Sequence, residues 1–278
     1  MLTPMAVARI LAINKINLNL IQILERCITM NIRDKIKMDK QTFIKNGAIT
    51  IVAFGDSFTY GAFEYGAVDF ENVYWNVLKK MINEVRPTIP VNVINSGIGG
   101  MTALGSLPRL ESQVLTHRPD LIIVAFALND ISSGMGTEAY CGALREIFEK
   151  SLATGAEVVF VTEHMFNTYV ADDTLETLKE YAQKTAKLQN SGIVDEYMNA
   201  AMDLARSMGV SVADCYSEWK KLYKSGVDTT MLLANRINHP TREMHKLVAQ
   251  KIFDIILGDD KKKSDEDISM CKEAEKHR

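Results

Sequence analysis

Ala48-Ile49-Thr50-Ile51-Val52-Ala53-Phe54 runs straight into Gly55-Asp56-Ser57-Phe58-Thr59-Tyr60-Gly61. The first half is short, rich in β-branched residues and largely apolar on both parities, the pattern of a strand covered on both faces. Four further runs read the same way, over 91–95, 121–126, 157–162 and 210–214. Between and after them lie amphipathic helical patterns over 73–85, 106–116, 137–154, 193–208 and 241–257, the last with Met244, Leu247, Val248, Ile252 and Ile255 on one face. Strands alternating with helices predict an α/β fold, a mainly parallel five-stranded sheet with helices on both sides. In such sheets ligands gather at the carboxyl ends of the strands.

The chain has 278 residues, 47% hydrophobic and 24% charged, with a formal net charge of −3. That suffices for a sizeable core and lacks the basic excess of a nucleic-acid footprint. Cys27, Cys141, Cys215 and Cys271 form no Cys-x-x-Cys pair and no zinc-like spacing, so neither a metal site nor a disulfide framework is expected. The apolar stretch 1–28 is interrupted by Arg9, Asn14, Lys15, Asn17 and Asn19, which makes it a poor secretory signal. No run approaches 18 apolar residues, so no membrane span is expected and the cytoplasm is the default compartment. The organisation expected is a helical N-terminal extension over 1–45, one domain over 46–258 and a charged tail over 259–278.

The loops after the strands carry the chemistry. A serine just past a buried strand, as Ser57 is, can expose its hydroxyl and aim its own N–H at a developing oxyanion. Asp56 and Ser57 also suit a plain helix cap. The second strand ends in Asn95-Ser96-Gly97-Ile98-Gly99-Gly100-Met101-Thr102, whose glycines let backbone N–H groups approach a ligand. As a dinucleotide fingerprint it is incomplete, because Thr102 holds the last glycine position. Asn129, in Ala127-Leu128-Asn129-Asp130, can donate its amide to the same site or serve as a turn residue. His239 precedes Pro240 and the final helix, the most site-like setting of the five histidines. His117, His164 and His245 are expected on surfaces or as local caps, with His164 also able to line the cleft after the fourth strand.

Taken together, Gly55-Asp56-Ser57, Asn95 through Gly100, Asn129-Asp130 and His239-Pro240 resemble, in order, the four blocks of the GDSL or SGNH hydrolases. The resemblance spans about 49–257 and implies a flavodoxin-like three-layer α/β/α sandwich. It implies hydrolysis of O-acyl esters, often acetyl groups on carbohydrates or acyl groups on lipids, with no cofactor. Carried over, Ser57 is the nucleophile and His239 the general base, with Ser57 N–H, Gly100 N–H and the Asn129 side chain as oxyanion hole. Two positions depart from the pattern: Ala127 stands where the third block opens with Gly, and Arg236 stands three residues before the histidine, where the family has Asp. An arginine cannot accept the imidazole N–H, so a backbone carbonyl or the Asn235 side chain must orient His239, or the chemistry has lapsed. The partner expected is a small-molecule or carbohydrate ester. The alternatives are a lysophospholipase or lipase, a non-catalytic binding protein on the same fold, and a dinucleotide binder using the Gly97–Gly100 loop.

Overall fold

Alternation along the strands sorts their side chains between two helical layers. The computed structural model describes residues 30–258. Five parallel strands, β1 (Ile49–Gly55), β2 (Val91–Gly97), β3 (Leu121–Ala125), β4 (Glu157–Val161) and β5 (Ser211–Ala213), lie in the order β2-β1-β3-β4-β5. Val52, Phe54, Ile122, Val124, Val158 and Phe160 point to one core, and Ile51, Ala53, Ile123, Ala125, Val159 and Val161 to the other. This is the doubly wound, three-layer arrangement expected from the sequence, with the order of flavodoxin-like sheets.

The helices, in chain order, are α1 (Ile32–Lys37), α2 (Lys40–Asn46), α3 (Ser57–Tyr60), α4 (Tyr74–Val85), α5 (Ala103–Gln113), α6 (Leu128–Ser133) and α7 (Thr137–Ala153). After them come α8 (Lys179–Ser191), α9 (Ile193–Ser207), α10 (Cys215–Lys224) and α11 (Arg242–Leu257). The first core takes α5, α7 and α9, with Tyr140, Ile147, Phe148, Met198 and Trp219 fully buried. The second takes α1, α4 and α11, with Ile32, Tyr74, Leu78, Ile252 and Ile256 fully buried. None of the described helices is long and apolar enough to cross a membrane.

The structure adds helices that periodicity had not marked. The buried face of α8 is Ala182, Thr185, Ala186 and Gln189, so it has no apolar stripe to read. The short α6 holds Asn129 in a helical first turn, rather than in a loop. The segment expected as part of the N-terminal extension contributes to the core from residue 32 onward. Asn31 caps α1 by accepting from Asp34 N, and Ile32 and Ile36 are buried. Arg33 donates to the carbonyls of Ile255 and Ile256 at the end of α11. Lys35 pairs with Asp120 at 2.7 Å, both mostly shielded, and Asp120 also accepts from Thr50 N. Residues 1–29 and the expected tail at 259–278 lie outside the described residues.

If α1 is an integral part of the second core, Ile32→Ala should destabilise the protein by about 2–5 kcal/mol, the usual cost of deleting a buried aliphatic side chain. Urea denaturation of the two proteins measures it, and an unchanged midpoint would mean that the core does not need α1.

Candidate active site

Register carries the first, second and third strand-end loops to one edge. Gly55 at the end of β1 lies opposite Gly97 of β2 and Ala125 of β3. The chain then turns from β1 into α3, whose N-cap Asp56 accepts from Phe58 N at 2.9 Å. Ser57 is the first residue of α3, where backbone N–H groups have no intrahelical acceptor. The helix lies hard against both strand ends. A Cβ at Gly55 would collide with Thr59 and with the Ala125 carbonyl, and one at Gly97 with the Thr59–Tyr60 backbone. Asn95 reinforces this contact, donating to the Tyr60 carbonyl at 3.1 Å and accepting from Gly97 N at 2.9 Å. The loop after β2 then turns at exposed Gly100, which adopts φ +75°.

Opposite this edge, His239 leaves the loop before α11. Its Nε2 lies 3.2 Å from Ser57 Oγ, and its Nδ1 lies 2.9 Å from the backbone carbonyl of Phe63. Because a carbonyl only accepts, Nδ1 carries the proton and Nε2 presents its lone pair to the serine. Burial lowers the His239 pKa, opposed by the Phe63 hydrogen bond. The loop itself is knotted by Asn235, whose Oδ1 accepts from the N–H groups of Ile237, Asn238 and His239. Asn235 therefore shapes the main chain and does not touch the imidazole ring. Arg236, in a left-handed conformation at φ 62°, turns outward to pair with Asp173 at 3.0 Å and to donate to the Leu233 carbonyl.

Asn129 completes the group. Its Nδ2 donates to Asp56 Oδ2 at 2.6 Å and makes a long 3.3 Å contact with the Met101 carbonyl. Behind it lie three buried carboxyl groups, Asp56, Asp130 and Glu163. Glu163 Oε2 accepts from Leu128 N at 2.6 Å, while its Oε1 meets no N–H or hydroxyl. Burial, then the neighbouring Asp56 charge, drives the Glu163 pKa well above the carboxylate range. Burial raises Asp130 to about 7, although its carboxyl accepts from Ala103 N at the start of α5.

Three further residues support this arrangement, of which the sequence had offered only His164 as able to line the cleft. Arg109, on the buried face of α5, donates to the Gly55 carbonyl at 3.0 Å and the Ser96 carbonyl at 2.5 Å, and its guanidinium covers the Phe54 ring. It ties the ends of β1 and β2 together. His164 is buried rather than exposed and donates Nε2–H to the carbonyl of Asn238, the residue before His239, at 2.7 Å. Desolvation holds its pKa down at about 3, so it stays neutral. His245, also buried, accepts from Tyr74 N through Nδ1. Both were expected on surfaces or as local caps, with His164 also able to line the cleft; His117 is the exposed one. Among the described residues, no group of His, Cys, Asp and Glu is placed to hold a metal ion.

A serine, a histidine, an asparagine amide and a glycine turn thus meet at one strand edge. The model of the GDSL-like Lipase/Acylhydrolase family matches residues 53–247. The chain belongs to that family. This GDSL-like protein is accordingly a carboxylic ester hydrolase by family. No curated protein sequence matches the chain. Among solved structures, an acetylxylan esterase from Geobacillus stearothermophilus is similar, at 18% identity and a TM-score of 0.59, over 76% of this chain and 95% of that one. A putative lipolytic protein of the G-D-S-L family from Desulfitobacterium hafniense is similar at 20% identity and a TM-score of 0.53, over 73% and 97%. The catalytic mutants of the acetylxylan esterase replace a serine, an aspartate and a histidine, the aspartate three positions before the histidine. The GDSL-like hydrolase described here has Arg236 at the corresponding spacing.

The buried acids make stability depend on pH. Asp130 binds its proton more tightly folded than unfolded, so its contribution is full below about pH 4 and is lost as pH rises through about 7. The melting temperature of wild type should therefore fall across that window, and Asp130→Asn should flatten the fall. Parallel melting curves from pH 4 to 8 measure it; identical slopes would show that Asp130 titrates normally.

Proposed function

We propose that the protein hydrolyses short-chain O-acyl esters, acetyl esters first among them and carbohydrates their natural setting, through a Ser57 acyl-enzyme. The observation that carries this reading is the imidazole of His239, bonded on one side to Ser57 Oγ and on the other to the Phe63 carbonyl. His239 accepts the serine proton at Nε2 as Oγ attacks the ester carbonyl. The N–H groups of Ser57 and Gly100 and the second amide hydrogen of Asn129 receive the oxyanion. That hydrogen is the one with only the long contact to Met101 to give up. Collapse releases the alcohol, which takes the proton from His239, and a water activated by the same Nε2 then frees the acid.

The missing aspartate decides how strong this base can be. In serine proteases, Asp→Asn in the triad costs about 10⁴ in rate, largely because the imidazole takes the wrong tautomer. The Phe63 carbonyl selects the right tautomer, so that part of the loss is avoided. What it cannot supply is a full negative charge beside the imidazolium. The dyad is therefore a working base with less electrostatic support than a triad. The small acyl preference follows from the absence of a large lid in the sequence after the strands, and the acetyl-carbohydrate setting from the likeness to an acetylxylan esterase.

Hydrolysis of p-nitrophenyl acetate by wild type, Ser57→Ala, His239→Ala and Asn129→Ala tests the assignment. Ser57→Ala and His239→Ala should abolish turnover above background, and Asn129→Ala should lower kcat by about 10²–10³, the usual cost of an oxyanion donor. Equal slow rates in all four folded proteins would refute it. Against pH, kcat/KM should climb with the deprotonation of His239 and level off, with a midpoint below the ordinary 6.5, since burial lowers this imidazole. A midpoint above 6.5 would point to a carboxylate partner instead.

A further inference from the structure

A carboxylate beside a catalytic imidazole brings charge, which tolerates some misplacement. A carbonyl brings only a directional dipole, and so it must be held in place. The Phe63 carbonyl sits on a short hairpin over 62–68, an exposed turn whose own main-chain ties are few: the antiparallel bridge of Ala62 with Val68, Phe63 N to the Ala67 carbonyl at 3.1 Å, and Ala67 N to the Glu64 carbonyl at 3.0 Å. At its base Ala62 N donates to the Ser57 carbonyl at 3.0 Å and the Phe63 ring is fully buried; the side chain that grips it from outside is Arg242, three residues after His239 in the first turn of α11. Its Nη1 and Nη2 meet the two Glu64 oxygens at 2.8 and 3.3 Å, and its Nε meets Asp69 Oδ2 at 2.7 Å. Its guanidinium also covers the fully buried Phe63 ring, 4.6 Å from the centroid, with the His245 ring 4.6 Å from the same centroid.

Asp69 is in turn a fixed anchor. Its Oδ1 accepts from Glu71 N and Asn72 N, its Oδ2 accepts from the Asn72 amide, and its own N–H donates to the Gly61 carbonyl. Against the opposing effect of desolvation, the hydrogen bonds from Asn72 and Arg242 bring its pKa down to about 2, so it is charged wherever the enzyme works. Glu64 is lowered by the Arg242 hydrogen bonds as well. The loop before α11 therefore presents His239 to the Phe63 main chain, and the first turn of α11 presents Arg242 to both ends and the ring of the same hairpin.

We propose that Arg242, gripping Glu64 and Asp69, is the positioning residue that holds the Phe63 carbonyl on His239 Nδ1 and so lets a main-chain acceptor replace the triad carboxylate. The assignment rests on the proposed role of His239 as general base. Arg242 touches no reacting atom. It acts through the hairpin, and a misplacement of about 1 Å at a catalytic group costs about 10²-fold in rate.

The test uses Arg242→Met, which keeps an apolar stem over Phe63 and removes both ion pairs, and Arg242→Lys, which keeps the charge but not the fork. The first readout is the ¹⁵N spectrum of the His239 ring, which reports the tautomer without any turnover. Wild type should show a single Nδ1–H tautomer, Arg242→Met a mixture, and Arg242→Lys a partial return. The second readout is p-nitrophenyl acetate hydrolysis. Arg242→Met should lose about 10–100-fold in kcat with KM unchanged, and Arg242→Lys should recover part of it. A folded Arg242→Met with the wild-type tautomer and kcat would overturn the proposal. Should Arg242→Met fail to fold, Glu64→Gln, a change at a half-exposed side chain, takes its place with the same expected directions. Absence of esterase activity in wild type would sink the role of His239, and the ring spectrum would still decide whether Arg242 sets its tautomer.

Discussion

The hydrogen bond from His239 Nδ1 to the Phe63 carbonyl, 2.9 Å long, is the constraint on which the rest of this site depends. It fixes which nitrogen faces Ser57, and hence, on the proposed mechanism, whether the serine has a base. Everything around it holds the two partners in register. Asn235 and His164 fix the main chain leading into His239, and the hairpin carries Phe63. The imidazole is thus oriented by a main-chain dipole rather than by a carboxylate. Arg236, standing where a carboxylate was expected, is turned out to Asp173 and leaves the imidazole free of a second cation.

A second constraint runs beneath the oxyanion side. One amide hydrogen of Asn129 is committed to Asp56, which orients the other as the proposed mechanism requires. Asp56 in turn accepts from Phe58 N, and the neighbouring Glu163 accepts from Leu128 N at the start of α6. Three acids packed this closely in a low-dielectric interior cannot all ionise, and the site is built around their sharing of protons. Arg109 adds the one buried cation nearby, and its role is mechanical as much as electrostatic, since it bridges the carbonyls at the ends of β1 and β2.

Most of the fold was legible because its strands are buried on both faces and its main helices carry apolar stripes. The helix α8 was not, because Ala182, Thr185, Ala186 and Gln189 pack through small size and hydrogen bonds, which leave no periodic signal. Ser57, Gly100, Asn129 and His239 stand out in the sequence since each sits in a short motif at a strand or helix end, and the fold brings Ser57 against His239 and Asn129 against Asp56. Their supports do not stand out. The orienting group is a main-chain atom of Phe63, invisible in any side-chain pattern. Arg242, Glu64 and Asp69 are ordinary surface charges until the fold brings positions 64, 69 and 242 together. His245 reads as a polar residue on an amphipathic helix, yet it is buried because it accepts the N–H of Tyr74 at the start of α4. The one sequence hint was negative: an arginine where an acceptor was required meant that the acceptor lay elsewhere.

The measurement that bears most directly on this account is covalent capture of Ser57 by a small fluorophosphonate, followed by peptide mass spectrometry, in wild type and His239→Ala. A serine activated by a carbonyl-oriented histidine should be labelled in wild type, on the peptide containing Ser57, and left unlabelled in His239→Ala. No adduct on Ser57 in folded wild type, or equal labelling without His239, would contradict a dyad in which a main-chain carbonyl does the work of a carboxylate.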